Sequence, residues 1–322
     1  MKYNKNNPLR VMTLCAGYDS QCVGLQRIKE EFPEFDFDLV AWCEYDPESK
    51  RPINEQPAVI AHNALFPQYA DRNWGDITKI DWEQVPDFDL LFASTPCQSI
   101  SNAGLQHGFE KGSGTRSSII WDVHDCVRIK KPKYIVMENV SAILSKKFYP
   151  TLKLWLDELE RMGYKNFASP QFETPWKDKQ KKTKVGTLNS CDYGTPQNRL
   201  RWFGVSILRT EDDPEPVYNF PAPFPLTMCL ADVLEEEVDE KYFLSDEMLA
   251  RFCVKSVEEE QGKDYVVTST DDVIPLGLHG CVNESLHGCK NCKYEKAAEQ
   301  CSRLYRLMEK YGKTPFGEPF PK

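Results

Sequence analysis

A cysteine and a carboxylic acid stand at corresponding positions after two strand-like runs of this chain. Cys97 comes shortly after the apolar run at 88–92, and Glu138 directly follows a second apolar run at 134–137. The carboxyl ends of neighbouring parallel strands meet at one edge of a sheet, where open α/β folds bind their ligands. A thiol there can attack an electron-poor ring, and a buried carboxyl group can stay protonated and donate a hydrogen bond.

Two arginines lie where they can assist that chemistry. Arg199 and Arg201 belong to the segment 192–201, whose sequence is Asp-Tyr-Gly-Thr-Pro-Gln-Asn-Arg-Leu-Arg. A guanidinium group keeps its charge and presents several N–H donors in one plane. If the segment reaches the same sheet edge, the cysteine, the acid and the two arginines suffice to attack and hold a polar heterocycle.

Further motifs surround these residues in a fixed order along the chain. They are a glycine-containing loop, two acidic residues, a Pro-Cys-Gln triplet, a Gly-Thr-Arg-Ser-Ser segment, a Glu-Asn-Val triplet and a Gln-x-Arg-x-Arg segment, found at 14–19, Glu44 and Asp76, 96–98, 114–118, 138–140 and 197–201. This ordered set resembles the cytosine-C5 DNA methyltransferase family over residues 9 to 208. Each motif alone is weak evidence, whereas their shared order is specific.

The resemblance implies an enzyme, a DNA (cytosine-5-)-methyltransferase of restriction-modification or phage type. It implies that the Cys97 thiolate adds to C6 of cytosine while Glu138 donates to N3. Arg201 then donates to O2 and orients Glu138, and Arg199 contacts the target phosphate or helps to position Cys97. Such a site cannot reach a stacked base, so the cytosine must be flipped out of double-stranded DNA. The implied substrate contacts are Gln98, Ser99, Asn139 and Gln197.

The methyl donor that the resemblance implies is S-adenosylmethionine. Gly17 lets the backbone approach the cofactor closely, Glu44 can accept from ribose hydroxyls, and Asp76 can accept from the adenine amino group. The family's loop usually carries Gly-x-Gly, whereas Gly17 is here followed by Tyr18-Asp19-Ser20, so we expect a less close approach. The implied cofactor-binding set is Ala16, Gly17, Tyr18, Glu44, Asp76, Ile77 and Pro96.

Strand-like and helix-like runs alternate through the first 208 residues and must position these side chains. Apolar runs predict strands at 9–14, 37–42, 88–92, 134–137 and 203–208. Helical spacing and composition predict helices at 20–31, 57–65, 118–129 and 149–162. The alternation predicts an α/β fold with a Rossmann-like, mostly parallel sheet and helices on both faces, of the class I methyltransferase type by resemblance. The glycine-rich run at 98–114 predicts a mobile active-site loop or an ordinary surface connection.

A change of composition near residue 210 predicts two domains. Residues 1–210 form the expected S-adenosylmethionine-binding catalytic domain. Prolines crowd between 214 and 225, which is typical of a linker or of the start of a smaller, target-recognition-like or diverged lobe at 211–322. The family normally ends in two further motifs, and we find neither between residues 205 and 322.

That gap leaves three interpretations open. They are a split enzyme completed by a second polypeptide with the missing motifs, a truncated or inactive relic, and a diverged C-terminal lobe. The first two make the chain a non-catalytic or split-enzyme subunit that binds DNA or a partner, and an RNA-directed enzyme is a nearer alternative. The lobe also contains cysteines at a spacing that allows a zinc site or only unpaired thiols: Cys281, Cys289, Cys292 and Cys301.

Composition limits the partners and the location. The net charge of -9 argues against a generic DNA-coating protein, since phosphate neutralisation needs clustered lysine and arginine. Two basic segments, 128–133 and 177–184, can line a DNA cleft or simply be solvated. No apolar run of about 18 residues exists and the N-terminus lacks a signal-peptide core, which predicts a cytoplasmic protein without a membrane partner. The 12 cysteines are then expected as thiols rather than disulfides.

Overall fold

The structure, a computed structural model, describes most of the chain before residue 236. The described residues are 2–101, 107–168, 186–235, 237–239, 242, 243 and 245. Contacts divide the chain into two units, the first being Met1–Tyr193 with Asn198–Pro225 and the second Gly194–Gln197 with Leu226–Lys322. Every strand and α-helix described here belongs to the first unit, and the second contains a short 3-10 helix at Leu230–Val233. The domain boundary at residue 210 stays a prediction.

A sheet of seven strands forms the centre of the first unit. Along the chain its strands are β1 (Leu9–Leu14), β2 (Phe37–Cys43), β3 (Leu90–Ala93), β4 (Tyr134–Val140), β5 (Tyr164–Ala168), β6 (Leu188–Asn189) and β7 (Leu200–Leu208). Their order across the sheet is β2-β1-β3-β4-β7-β5, with β6 paired to β7. Neighbours among β1 to β4 are parallel, whereas β7 runs antiparallel to β4, β5 and β6.

Helices cover both faces of this sheet. They are α1 (Ser20–Glu31), α2 (Pro57–Leu65), α3 (Ile120–Lys130) and α4 (Tyr149–Arg161). Because side chains alternate along a strand, each strand feeds two apolar layers. Residues of α3 and α4 pack on one face, in a cluster that includes Met12, Leu91, Ile135, Val123 and Trp155. Residues of α1 and α2 pack on the other, in a cluster that includes Val11, Leu39, Cys22, Leu25 and Val59.

The predicted fold class is confirmed, and the sheet is more mixed than a doubly wound parallel one. The structure adds β5, whose sequence Tyr-Lys-Asn-Phe-Ala has no apolar run and becomes a strand by pairing with β7. Three other strands are longer than predicted, β2 by the single residue Cys43. β4 continues to Val140 and β7 begins at Leu200, so Glu138 and Arg201 lie inside strands rather than beside them. In the described part of the chain no helix is long and apolar enough to cross a membrane.

Candidate active site

Cys97 lies in the turn that leaves the carboxyl end of β3. The strand ends at Ala93, and residues 94–96 lead the backbone out of the sheet. The carbonyl oxygen of Cys97 accepts hydrogen bonds from the N–H groups of Ile100 and Ser101, at 3.0 and 2.7 Å. The side chain is half-buried. The backbone of the turn is therefore fixed while the thiol remains accessible.

Asn139 ties this turn to β4. Its side chain is buried, and Nδ2 donates to the carbonyl oxygen of Thr95 at 3.2 Å and to the Thr95 hydroxyl at 3.1 Å. Its Oδ1 accepts from the N–H group of Val140 at 2.8 Å. These bonds hold the segment before Cys97 against the neighbouring strand. A contact between Asn139 and the substrate stays a prediction.

Glu138 and Arg201 are brought together by the pairing of β4 with β7. In the antiparallel register Val140 lies opposite Arg201, and Glu138 lies opposite Phe203, so the acid and the arginine are diagonal neighbours on one face. Arg201 Nε lies 2.9 Å from Glu138 Oε1. Their side chains are 22% and 24% exposed, so the pair is largely withdrawn from solvent without being sealed.

Burial raises the pKa of the Glu138 carboxyl above its ordinary value. The positive charges of Arg201 and Arg199 act in the opposite direction, as do hydrogen bonds from Arg201 and Ser94, but the net direction is upward. The raised pKa favours the protonated carboxyl, which can donate a hydrogen bond.

Arg199 stands exposed just before β7. Its N–H group donates to Oδ1 of Asn189 at 2.8 Å, and its carbonyl oxygen accepts from the N–H group of Ser190 at 3.1 Å. The backbone is thus held while the guanidinium group faces solvent, close enough to affect the pKa of Glu138. This placement suits a cation that meets a phosphate at the rim of the site.

The glycine-containing loop after β1 has an unusual backbone. Cys15, Gly17 and Asp19 all have positive φ angles, of 54°, 59° and 64°. The left-handed region strongly favours glycine, and the space beside the Gly17 Cα is open. Asp19, which occupies the position of the second glycine in the Gly-x-Gly pattern that the resemblance implies, has a left-handed backbone although it is not glycine. Beside it, Tyr18 is 56% exposed.

The side chain of Asp19 turns inward and is fully buried. One carboxylate oxygen accepts from the Thr13 hydroxyl at 2.7 Å, and the other caps α1 by accepting from the N–H group of Cys22 at 3.1 Å. The Nε2 atom of His62, on α2, lies 3.7 Å from the first of these oxygens. Asp19 therefore fixes the loop to β1 and to the start of the helix that follows it.

We expect Asp19→Ala to destabilise the protein more than Asp19→Gly does. Both variants lose the acceptor and the cap, but only alanine must also hold a left-handed backbone, which costs about 1–2 kcal/mol. Urea unfolding followed by circular dichroism measures the difference. Equal stability of the two variants would contradict the strain assigned to this position.

Asn73 fixes the backbone beside the two acidic positions. The carboxylate of Glu44 accepts from the N–H group of Gly17 at 2.6 Å, which connects the end of β2 to the glycine loop. Asn73 Oδ1 accepts from the N–H groups of Glu44 at 3.1 Å and Gly75 at 2.9 Å, and Asn73 Nδ2 donates to the Glu44 carbonyl oxygen at 3.2 Å. One amide side chain therefore links the backbone of Glu44 to that of Gly75, the residue before Asp76.

These residues fit the cofactor that the family implies. Burial raises the pKa of Glu44, although the N–H group of Gly17 acts against it. Asp76 accepts from the N–H and hydroxyl of Thr78 and pairs with Lys79, and these contacts outweigh its burial and lower its pKa. A carboxylate offers about four acceptor sites, so each acid keeps capacity for a hydroxyl or amino group. The open space beside Gly17 lies next to the Glu44 carboxylate.

Other predicted cofactor residues frame the same region. The N–H group of Ala16 donates to the Cys43 carbonyl oxygen at 3.1 Å, which binds the loop to β2. The Ile77 side chain is buried in the core, and Pro96 is half-buried directly before Cys97. Ala16 therefore holds the loop through its backbone, whereas Ile77 and Pro96 contribute through the packing of their side chains.

The segment after Cys97 is anchored at both of its described ends. Gln98 is exposed, while the N–H group of Ser99 donates to the Ser117 hydroxyl at 3.1 Å. The Ser99 carbonyl oxygen accepts from Gly108 at 2.9 Å, and Phe109 is buried in the core. Residues 102–106 lie outside the described part, so the mobile loop stays a prediction.

The predicted substrate contact Gln197 and the two basic segments have different outcomes. Gln197 belongs to the second unit, where it is exposed and its N–H group donates to the Thr195 carbonyl oxygen at 2.7 Å. In the basic segment 128–133, Lys130 pairs with Asp87 at 2.8 Å and Lys133 with Asp213 at 3.2 Å. These pairs favour a structural role. The second basic segment, 177–184, lies outside the described residues.

Sequence reasoning missed the residues that connect the motifs. Asn73 and Ser94 stand three residues before a predicted site residue, yet nothing in their type or spacing distinguished them. Gln21, on the first turn of α1, donates to the Ser94 hydroxyl at 2.9 Å. A polar residue close to a motif in the sequence is weak evidence that it contacts the site. Only the register of the strands shows which motif such a residue contacts.

Comparison with known proteins places the sequence among methylases. A family model described as C-5 cytosine-specific DNA methylase matches residues 9–313. The chain is 39% identical to the type II methyltransferase M2.ScrFI of Lactococcus lactis subsp. cremoris over 180 residues, which is 56% of this chain and 44% of that protein. It is 30% identical to the orphan methyltransferase M.Rho11sI of Bacillus phage rho11s, covering 92% of this chain and 55% of that one.

The chain spans about half the length of these two curated relatives. A solved structure, Entamoeba histolytica methyltransferase EhMeth, superposes with a TM-score of 0.49 at 18% identity, covering 75% of this chain and 64% of that chain. The family match extends past the motif region to residue 313, and the comparisons give no support for a second polypeptide or for zinc. The part of the chain that the structure describes has no cluster of metal-binding side chains, and Cys281, Cys289, Cys292 and Cys301 lie outside that part.

Proposed function

Because the chain belongs to the C-5 cytosine-specific DNA methylase family, we propose that it transfers a methyl group from S-adenosylmethionine to C5 of cytosine in double-stranded DNA. The observation that carries the proposal is the placement of Cys97, Glu138 and Arg201 at one edge of the adjacent strands β3, β4 and β7. Type II and orphan methyltransferases among the relatives support a restriction-modification or phage setting.

The three side chains divide the activation of the ring among them. The electron pair of the Cys97 thiolate forms a bond to C6, and the ring electrons move towards N3 and O2. Glu138, in its protonated form, donates to N3, while Arg201 donates to O2 and holds the Glu138 carboxyl in place. C5 thereby becomes electron-rich and would take the methyl carbon, while the bond from that carbon to the sulfonium sulfur breaks and its electron pair stays on the departing thioether, S-adenosylhomocysteine. Loss of the C5 proton to water then allows the S–C6 bond to break and the thiolate to leave.

The cofactor-binding residues hold the second substrate beside that ring. When bound, S-adenosylmethionine supplies an electrophilic methyl group. Glu44 would accept from the ribose hydroxyls and Asp76 from the adenine amino group, while Gly17 leaves room for a close approach. Asn73 links the backbone of Glu44 to that of Gly75, the residue before Asp76.

The site can act only on a cytosine that has left the base stack. Glu138 and Arg201 lie within strands of the sheet, near the carboxyl ends of its parallel strands. They do not lie on a projecting element that could enter a groove of the duplex. The target nucleotide must therefore be flipped towards them. Exposed Gln98 and the neighbouring Ser99 are placed to contact it, and exposed Arg199 can meet its phosphate.

A methyl-transfer assay tests the proposal. The protein is incubated with tritiated S-adenosylmethionine and a long unmethylated DNA that contains every short sequence, because the recognition sequence is not specified. We expect label in 5-methylcytosine after enzymatic digestion, and no competition from RNA. Label in RNA alone would show an RNA-directed enzyme. Binding of S-adenosylmethionine without transfer would show a non-catalytic protein.

We expect Glu44→Gln to raise the dissociation constant for S-adenosylmethionine by about 10- to 100-fold. The substitution keeps the size of the side chain but removes charge-assisted hydrogen bonds, which contribute about 1.5–3 kcal/mol each. Isothermal titration calorimetry measures the constant directly. Glu48→Gln is the matched control, since Glu48 is 75% exposed and pairs with Arg116. Equal affinity of both variants would refute the ribose contact.

A further inference from the structure

A hydrogen-bond contact links the helix after the glycine loop to the nucleophile strand. Gln21, on the first turn of α1, donates from Nε2 to the Ser94 hydroxyl oxygen at 2.9 Å. Its Oε1 accepts from the Ser20 hydroxyl at 3.3 Å, which fixes the orientation of the amide. Ser94 immediately follows β3 and lies three residues before Cys97. The proposed site for the cofactor and the proposed nucleophile strand therefore share a side-chain contact.

The same hydroxyl reaches Glu138. β3 and β4 are parallel, with Ala93 paired to Met137, so the next residues in each strand, Ser94 and Glu138, are neighbours. The Ser94 hydroxyl is close enough to the Glu138 carboxyl to lower its pKa, against the larger effect of burial. Because the Gln21 amide N–H occupies an acceptor site on the Ser94 oxygen, the single hydroxyl proton of Ser94 is left for Glu138.

We propose that Gln21 and Ser94 are positioning residues that orient the carboxyl group of Glu138 for its hydrogen bond to the target ring. The inference rests on the proposed function, since it assumes that Glu138 is the donor to that ring. Arg201 contacts Oε1 from β7, and the Ser94 hydroxyl, held by Gln21, lies beside the carboxyl at the end of β3. Two donors from opposite sides limit rotation of the carboxyl, so that its proton points towards the cleft.

The charged and polar groups that face Glu138 come from each element beside it. Arg201 and Arg199 lie on or just before β7, and Ser94 lies at the end of β3. All three stabilise the ionised carboxylate. Removing only the Ser94 hydroxyl therefore takes away one group that lowers the Glu138 pKa and leaves the two arginines in place.

The titration of Glu138 in the free protein tests the inference without DNA or cofactor. The full chain is labelled with glutamate carrying carbon-13 in the side-chain carboxyl, and the Glu138 signal is identified by its absence in Glu138→Gln. In Ser94→Ala we expect the pKa of this signal to rise by about half to one pH unit, which is the worth of one hydrogen bond. Ser94→Thr keeps a hydroxyl and should titrate like the wild type.

Gln21→Met tests the first part of the contact. It keeps the length of the side chain but cannot donate, so we expect a smaller upward shift of the Glu138 pKa than in Ser94→Ala. Superimposed titrations of Ser94→Ala and the wild type would overturn the inference. An equal shift in Ser94→Thr and Ser94→Ala would also overturn it, because a packing effect would then suffice. An unmoved Gln21→Met titration would remove Gln21 from the proposal.

Single-turnover methyl transfer then separates this inference from the proposed function. The higher Glu138 pKa in Ser94→Ala favours the protonated donor, so any loss of rate must come from lost orientation. We expect the rate to fall about 10-fold at neutral pH while the affinity for S-adenosylmethionine stays unchanged, and Ser94→Thr to restore the rate. A wild-type protein that transfers no methyl group refutes the proposed function. Wild-type activity with an equal rate in Ser94→Ala refutes only the positioning role.

Discussion

Replacing Cys97 with alanine is expected to lower methyl transfer to DNA by about 10⁴-fold or more, because no other group at the site can form the bond to C6. The structure places the thiol in a turn whose backbone is fixed by Ile100, Ser101 and the Asn139–Thr95 contacts. Removing one sulfur atom from this turn leaves those bonds in place. The affinity for S-adenosylmethionine should therefore change little, which distinguishes loss of chemistry from loss of fold.

Cys191→Ser is the matched control for that experiment. Cys191 is also a free, half-buried thiol, but it lies in a short 3-10 helix away from the turn after β3. We expect its methyl-transfer rate to equal that of the wild type. A second measurement uses duplex DNA with 5-fluorocytosine in a methylated sequence, which should trap the wild-type protein covalently and leave Cys97→Ala free. Activity retained in Cys97→Ala would falsify the assignment of the nucleophile.

Replacing Glu138 with alanine should lower the rate of methyl transfer by about 10²- to 10⁴-fold, the range typical of a positioned proton donor. Glu138→Gln should lose less, because its amide N–H can still donate to N3. Glu160→Gln, an exposed glutamate on α4, is the control and should match the wild type. A rate in Glu138→Ala within a few-fold of the wild type would show that the ring nitrogen receives its hydrogen bond from another group.

The pH dependence of Glu138 follows from its environment. Only the protonated carboxyl can donate, so the fraction able to donate falls as pH rises through the Glu138 pKa. Burial raises that pKa, which keeps the donor form present at higher pH than an exposed glutamate would allow. The rate profile should therefore contain a titration above the ordinary carboxyl range. That titration should disappear in Glu138→Gln, whose amide does not ionise.

Much of the fold could be predicted from local sequence signals. The predicted bounds of β1, α1 and α2 agree with the structure, because an apolar run, helical composition and an opening proline each mark an element locally. β5 could not be found in this way. Its central Lys165 and Asn166 are polar, and the strand exists because β7 offers a paired edge. Pairing between distant segments leaves no local signature.

At the candidate site, too, some features could be predicted from the sequence and others depend on contacts between distant segments. The order of motifs predicted which side chains carry the chemistry, and the structure brings Glu138 and Arg201 into contact at 2.9 Å. The motif order could not predict that the Asp19 side chain turns inward and accepts from Thr13 and Cys22, since these contacts form only on folding. The residues that orient a site depend on register, and the register is a property of the assembled sheet.

The alternation along β4 has a consequence for how such a chain can diversify. Met137 and Asn139 point into one layer while Glu138 between them points to the opposite side. A single codon gained or lost within this strand would exchange the two faces. The Glu138 carboxyl would then point into the buried layer, and the Asn139 amide would take the position of the carboxyl. Drift in this segment is therefore confined to replacement of one amino acid by another, and insertions or deletions should be found in the connections that precede and follow it.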